Sequence, residues 1–485
     1  MSKRIISIAL FFTFLFSAVS GRCAYIMMSN NYAVAKGYNS KSYNICNTYT
    51  TIVDRYETPL NNNTKSLAAV VRPNEKDMSE LPLLFNADVV KEITSQLKNG
   101  DVVIRKIDKY SNTKYIKVIE AIEENSPDML CRHLIDRACG GLELSLGNAI
   151  GSVKINYSVD ALGRILAGDN GTIINNNDKK TVKISIDSRL QKIAESSSKS
   201  IKKGAVVIAD CSTSQILACY SAGEDYLNRA SSNYAIGSIF KLVVCASALE
   251  NNVSLTYKCE NKIKVGDTTF CCQNNKAHGK QNMKQALANS CNCYFVKLAL
   301  TLGAQSIYDT AKEFGFLNDI ELYSDFNIKH GAFADLKELE SKGQLALIGF
   351  GQGVLTDNPI HFSSVVSAIA NGGIYNPPTL ALNNQKGTRV MSESNAKKLR
   401  EYMRYVVTNG TGTSAEYNNS SAGKTATAQS GIYIDEKEIL NTFFVGFYPY
   451  DNPKYSIVVM CENGTSGAGD CSPIFSTIVE NLEKI

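Results

Sequence analysis

The chain has 485 residues, too many for one ordinary core, so two domains with accessory segments are expected. Hydrophobic residues at 44% and charged residues at 20% exclude a disordered or fibrous chain. The 51 basic and 46 acidic residues are spread without a block of like charge, which argues against a nucleic-acid partner.

Lys3 and Arg4 precede an apolar run at 5–19, the order of basic and hydrophobic segments that secretion machinery reads. The rest of the chain is then expected outside the cytoplasm. That run is shorter than the ~20 residues of a spanning helix, but 24–28 extend it if Arg22 snorkels. An uncleaved single-pass anchor over 1–28 is one reading. A cleaved signal is the other, since Ala18, Val19 and Ser20 are small residues where signal peptidase acts. No later stretch approaches ~18 apolar residues, so at most one span is expected.

From 29 to 178 the sequence is polar and Asn-rich, with short strand-like pieces at 101–105 and 153–157, which reads as a modest accessory domain. Gly, Asn and Asp crowd 169–180, a turn composition, and the boundary is placed there. A denser region, 179–485, follows. It opens with a predicted strand at 182–186, a helix at 188–201 and a hairpin of 205–209 with 216–220. Apolar helical segments dominate from Ser238 to about Ile374, and strands return at 425–429, 442–447 and 455–460. Strands at both ends of a domain with helices between them predict an α+β fold, one antiparallel sheet flanked by helices.

Three elements carry chemistry. Ser238-Ile-Phe-Lys241 begins an apolar segment, and residues three apart share a helix face, so hydroxyl and amine can meet. Burial favours a neutral lysine, a usable base. Ser290-Cys-Asn292 pairs a hydroxyl with a carboxamide suited to proton relay and to binding a substrate amide, or to capping a helix. Lys424-Thr-Ala-Thr427 lies on a predicted strand, where period two puts Thr425 and Thr427 on one face beside a lysine that can hold a carboxylate. If that strand is an edge, its free N–H groups can polarise a carbonyl. Each element alone is an ordinary surface or capping pattern; their order and contexts together are not.

Fourteen cysteines are too sparse for a disulfide scaffold. Cys271-Cys272 and Cys291-x-Cys293 lack a companion C-x-x-C or H-x-x-x-H, and there are only four histidines, so no metal and no cofactor are expected. Cys259 with Cys271, or Cys461 with Cys471, would pair in an oxidising compartment.

S-x-x-K, S-x-N and K-T-x in this order form the motif set of penicillin-binding proteins and serine β-lactamases. The sequence resembles the class B penicillin-binding proteins, the monofunctional transpeptidases of peptidoglycan synthesis. Gly204 to Ala209, Asn228-Arg-Ala230, His278-Gly279, Gly351-Gln-Gly353 with Thr356, and Phe444 to Phe447 with Pro449 look like that family's blocks. Asp54-Arg55, Pro59-Leu60, Gly141-Leu-Glu143 and Ile186-Asp187 with Gln191 look like landmarks of its N-terminal, dimerisation-like pedestal.

The resemblance implies a D,D-transpeptidase acting on peptidoglycan stem peptides and acylated by β-lactams. Ser238 would be the nucleophile and Lys241 its base. Ser290 would pass a proton to the leaving amine with Lys424 in support, Asn292 would orient the substrate, and Thr425, Ala426 and Thr427 would bind the substrate carboxylate. It also implies a kept membrane anchor and a polytopic membrane glycosyltransferase partner. Three positions depart from the family pattern: Ala426 where glycine is usual, Tyr49-Thr50 in place of an Arg-Gly pair, and Glu57 in place of a glycine after Asp54. The alternatives are a D,D-carboxypeptidase or β-lactamase-type hydrolase, and a weakly catalytic scaffold of the wall-synthesis machinery.

Overall fold

The computed structural model describes residues 2–28, 39–61, 64–126, 128–166, 168–177, 180–383 and 386–485. The side chains of Lys3 and Arg4 and the expected boundary at Asp178 lie outside the described residues. Helix α1 (Ser2–Met28) continues unbroken past the apolar run. Its Ile5–Tyr25 portion is long and apolar enough to cross a membrane and buries none of its surface within the protein. It fits a single-pass anchor.

The chain divides into two compact units. The first holds two three-stranded antiparallel sheets. One orders Ser40–Thr48, Gly151–Ser158 and Thr172–Asn177; the other has Thr64–Val71 between Val103–Ile107 and Lys117–Glu124. Two helices, Glu75–Leu84 and Ala87–Leu97, add Leu81, Ile93 and Leu97 to the core formed with Ala69, Val71 and Val103. Arg72 anchors the first of them by a fork of bonds to the buried Asp77.

Segments 50–63 and 125–148, which a linear boundary would give to the accessory region, belong to the second unit. The reason is polar and specific. Asp54 Oδ1 accepts from the N–H groups of Tyr56 and Thr58 at 2.8 Å, and its Oδ2 accepts from Ser188 Oγ at 2.6 Å. Asn61 donates to the buried Glu143 at 2.7 Å. Glu57 sits at φ +70°, a left-handed conformation natural to glycine, so glutamate stands there without changing the turn.

The second unit runs α2 (Ser188–Ser197), β1 (Gly204–Asp210) and β2 (Ile216–Ala222). Then come α3 (Lys241–Glu250), α4 (Met283–Ala288), α5 (Asn292–Leu302), α6 (Pro359–Ala370) and α7 (Glu393–Asn409). Strands β3 (Ala422–Ile434), β4 (Lys437–Tyr448) and β5 (Tyr455–Cys461) and helix α8 (Ser472–Leu482) complete it. The sheet order is β2-β1-β5-β4-β3, antiparallel throughout. Period two sorts β1: Ala205, Val207 and Ala209 join the core with α3 and α6, while Val206 and Ile208 join the core with α2 and α8. All residues of α6 are buried, so the sheet is covered on both faces.

The expected helix at 188–201 stops at Ser197, and the expected strand at 182–186 forms only as Thr181–Lys183, parallel to Thr51–Val53. The helical expectation for 238–374 misses short hairpins: Tyr257–Cys259 pairs with Gly279–Gln281, and Lys262–Val265 with Thr268–Cys271. These strands are too short and too exposed for periodicity to announce them.

Candidate active site

Ser238 lies on a single 3-10 turn, Gly237–Phe240, that runs directly into α3 at Lys241. Positions i and i+3 eclipse in a 3-10 turn, which aligns hydroxyl and amine more closely than the α-helical spacing would. The turn is wedged in place. Gly237 has φ +56°, and a Cβ there would come within 2.9 Å of Ala428 Cβ on β3. A Cβ on Gly351 would strike the Gly237 carbonyl at 1.8 Å, so backbone rests on backbone. Both glycines are required by contact as well as by conformation.

Lys241 is fully buried, whereas Ser238 is half-buried and reachable. Lys241 Nζ lies 2.8 Å from Ser290 O, 2.8 Å from Asn292 Oδ1, 3.0 Å from Ser238 Oγ and 3.2 Å from Ser290 Oγ. A neutral amine has two hydrogens and one lone pair. The two shortest contacts are pure acceptors and take the hydrogens, leaving the lone pair for the Ser238 hydroxyl proton. Burial lowers the Lys241 amine from its ordinary value to about 8. The Phe295 ring closes one side, 5.4 Å from Nζ.

Ser290 stands between α4 and α5 at φ +52°, the left-handed position that often ends a helix. The N-cap of α5 is Cys291, whose sulfur accepts from the Tyr294 N–H; neither Ser290 nor Asn292 takes that place. Both are therefore free to face the lysines. Asn292 also donates from Nδ2 to the Cys271 carbonyl at 3.0 Å.

Lys424 is fully buried on β3, the edge strand of the sheet, and donates to Ser290 Oγ at 3.0 Å and to the Thr425 carbonyl at 2.7 Å. Burial, and secondarily the Lys241 charge, push it well below its ordinary value. Thr425 is buried with its hydroxyl 2.6 Å from that of Thr411, while Thr427 is half-buried and accepts from the Gly467 N–H at 3.3 Å. Of the two, Thr427 is the more accessible. Ala426 is buried opposite Phe443, so its methyl is accommodated in the core.

Ser238, Lys241, Ser290, Asn292 and Lys424 thus form one continuous hydrogen-bonded chain. Sequence reading did not foresee Thr411, which only β3 reveals, or the partners of the buried Arg229. That residue ties Asp225 through paired 2.7 Å bonds to Glu462 at 3.0 Å, joining the ends of β2 and β5. A second cluster also escaped it. Cys259, Cys272, His278 and Cys291 place their donor atoms within 4.8 Å of one another. Linear spacing offers these cysteines no companion C-x-x-C or H-x-x-x-H, whereas the folded hairpins bring Cys259 and His278 up to Cys272 and Cys291. Cys272 rather than Cys271 faces Cys259, and Cys271 is exposed. Cys461 and Cys471 are free thiols 3.7 Å apart.

The arrangement can perform the chemistry of an activated serine: a reachable hydroxyl, a buried amine to take its proton, and a second hydroxyl–amine pair to return one. Residues 204–480 match the penicillin binding protein transpeptidase domain, and the chain belongs to that family. It is 30% identical over 277 residues to Stage V sporulation protein D of Bacillus subtilis, covering 52% of this chain and 42% of that protein. It is 24% identical over 369 residues to the peptidoglycan D,D-transpeptidase MrdA of Haemophilus influenzae, covering 62% and 56%. The chain spans about half the length of these curated relatives. The penicillin-binding protein PBP2 of Helicobacter pylori, solved in complex with MreC, shares the fold at TM-score 0.67. Its identity is 21%, over 92% of this chain and 99% of that one.

Proposed function

We propose that this protein is a membrane-anchored peptidoglycan D,D-transpeptidase working through an acyl-enzyme on Ser238. The observation that carries the reading is the 3.0 Å approach of Ser238 Oγ to the buried Lys241 amine, with Ser290 bonded to both lysines. Lys241 takes the hydroxyl proton as Oγ attacks the penultimate D-Ala carbonyl of a stem peptide. The backbone N–H groups of Ser238 and Thr427 receive the developing oxyanion, a contribution of ~3 kcal/mol for one such donor. Ser290, supported by Lys424, passes a proton to the leaving amine, and the terminal D-Ala departs. Asn292 orients the substrate amide while Thr425 and Thr427 hold its carboxylate. An amine of a second stem then attacks the ester, which frees Ser238 and closes the cross-link.

In this reading α1 holds the protein in the membrane with the catalytic unit outside the cytoplasm, the two three-stranded sheets of the first unit act as a pedestal, and a polytopic membrane glycosyltransferase supplies the glycan strands. The names of the curated relatives support the substrate class. The test is intact-protein and peptide mass spectrometry after incubation with a penicillin. One penicilloyl adduct is expected on Ser238 and none in Ser238→Ala. A folded wild-type protein that makes cross-links without that adduct would refute the mechanism. Product analysis with and without an acceptor amine separates transfer from hydrolysis.

A further inference from the structure

The second cluster is built from three separate pieces of chain. The antiparallel register sets Cys259 opposite Gly279, which brings the preceding His278 alongside Cys259. Cys272 ends the neighbouring hairpin, its N–H bonded to the Asn261 carbonyl at 2.8 Å. Cys291 comes from the loop between α4 and α5. Cys259, Cys272 and Cys291 are buried and His278 is half-buried.

We propose that Cys259, Cys272, His278 and Cys291 bind one zinc ion. Zinc–sulfur bonds of ~2.3 Å and zinc–nitrogen bonds of ~2.0 Å in a tetrahedron require sulfur–sulfur edges of about 3.8 Å and sulfur–nitrogen edges of about 3.5 Å. Cys259 Sγ lies 3.6 Å from Cys272 Sγ and 3.6 Å from His278 Nδ1, and Cys272 Sγ lies 3.7 Å from Cys291 Sγ. Three edges therefore already have metal-site lengths. Three thiols and an imidazole select a thiophilic ion over calcium or magnesium, and four protein ligands close the site as a structural one. A Cys259–Cys272 disulfide would leave Cys291 and the imidazole converging on nothing. The Tyr294 N–H bonded to the Cys291 sulfur at 3.4 Å is the kind of support that orients a thiolate ligand. Cys293 Sγ, 3.5 Å from Cys272 Sγ, flanks the site.

The hairpins also need a staple. Their strands are short, and the paired strands Lys262–Val265 and Thr268–Cys271 bury only Val265 and Phe270. A metal would hold what apolar burial does not. Because Cys291 is the middle residue of Ser290-Cys291-Asn292, the ion would fix from behind the loop that presents Ser290 and Asn292 to Lys241. These ligands are positioning residues and do not face the substrate.

The test uses the full chain purified in detergent with zinc in the growth medium. Elemental analysis is expected to give about one zinc per chain. Cobalt(II) loaded into chelator-treated protein is expected to give tetrahedral d–d and thiolate charge-transfer bands. Cys259→Ser and Cys272→Ser are expected to lose the metal, while Cys271→Ser, one residue away and exposed, keeps it. Wild-type protein that takes up neither metal would overturn the proposal. So would a Cys259–Cys272 disulfide in the unreduced chain, or metal loss in Cys271→Ser equal to that in Cys272→Ser. Chelation is further expected to slow penicillin acylation at least tenfold, reversibly with zinc. Only this arm rests on the acyl-serine reading, so the metal site and the function can fail separately.

Discussion

Two polar clusters stand back to back across Ser290-Cys291-Asn292, and they are held in opposite ways. The amine cluster is embedded in the main core: Lys241 and Lys424 are fully buried, and the turn that carries Ser238 is wedged by glycine contacts to β3 and the Gly351 loop. The three thiols of the sulfur cluster reach the same core, but the strands around two of them are short and mostly exposed. Where burial is abundant, a polar group is fixed by filling its hydrogen-bond capacity, and the surrounding packing sets the distances. Where the strands that carry a group bury little of themselves, its position must be set by strong bonds between side chains.

The sharpest way to break this contrast is to remove a piece of the embedded cluster. Lys241→Ala should slow penicillin acylation by ~10²–10⁴-fold, the usual range for a lost general base. Its circular dichroism should match the wild type. A third polar cluster gives the control. Asp54 is as fully bonded as Lys241 but takes no part in the proposed chemistry, so Asp54→Ala should cost ~2–3 kcal/mol of stability by orphaning buried donors. Its acylation rate per folded molecule should not change. The bonds from Ser188, Thr58 and Tyr56 outweigh burial and lower the Asp54 carboxyl. Its stabilisation is therefore full above the unfolded value and is lost as pH falls through the lowered folded value. Melting curves between pH 2 and 6 read this directly.

A smaller effect tests the electrostatics of the same amine. With Lys241 near 8, the neutral fraction rises from roughly a tenth at pH 7 to about nine-tenths at pH 9. Acylation should climb about tenfold over that interval, and a flat profile would exclude Lys241 as the titrating base. The smallest expected effect is Glu57→Gly, which should gain ~0.5–1 kcal/mol by relieving the left-handed backbone. The loss of an exposed ion pair with Lys183 offsets part of this. A thermal shift of ~1–2 °C would register it.

Much of the embedded cluster was legible in the sequence. The order S-x-x-K, S-x-N, K-T-x and the apolar segment around Lys241 located Ser238, Lys241, Ser290, Asn292 and Lys424, and the strands at both ends of the unit foretold one antiparallel sheet. Several features were not legible. The 3-10 turn at 237–240 depends on wedging by Ala428 and Gly351, both distant in sequence. Strand β3 runs on to Ile434 because β4 pairs with it, although its own tip is exposed. The strands at 257–281 are only three or four residues long, too short for an alternation such as Lys262-Ile263-Lys264-Val265 to stand out, and their cysteines meet only through strand register. Segments 50–63 and 125–148 join the second unit through Asp54 and Glu143, bonds that no local propensity encodes. What local pattern conveys is which faces are apolar; which polar atoms meet is decided by tertiary closure.

The middle strand of the five, β5, is also the last of them to be synthesised. Until residues 455–461 arrive, β1-β2 and β3-β4 can exist only as separate ribbons, each with an unpaired inner border. The serine turn follows one ribbon and Lys424 rides on the other. The two ribbons that carry the amine cluster therefore become one sheet only through the strand inserted between them.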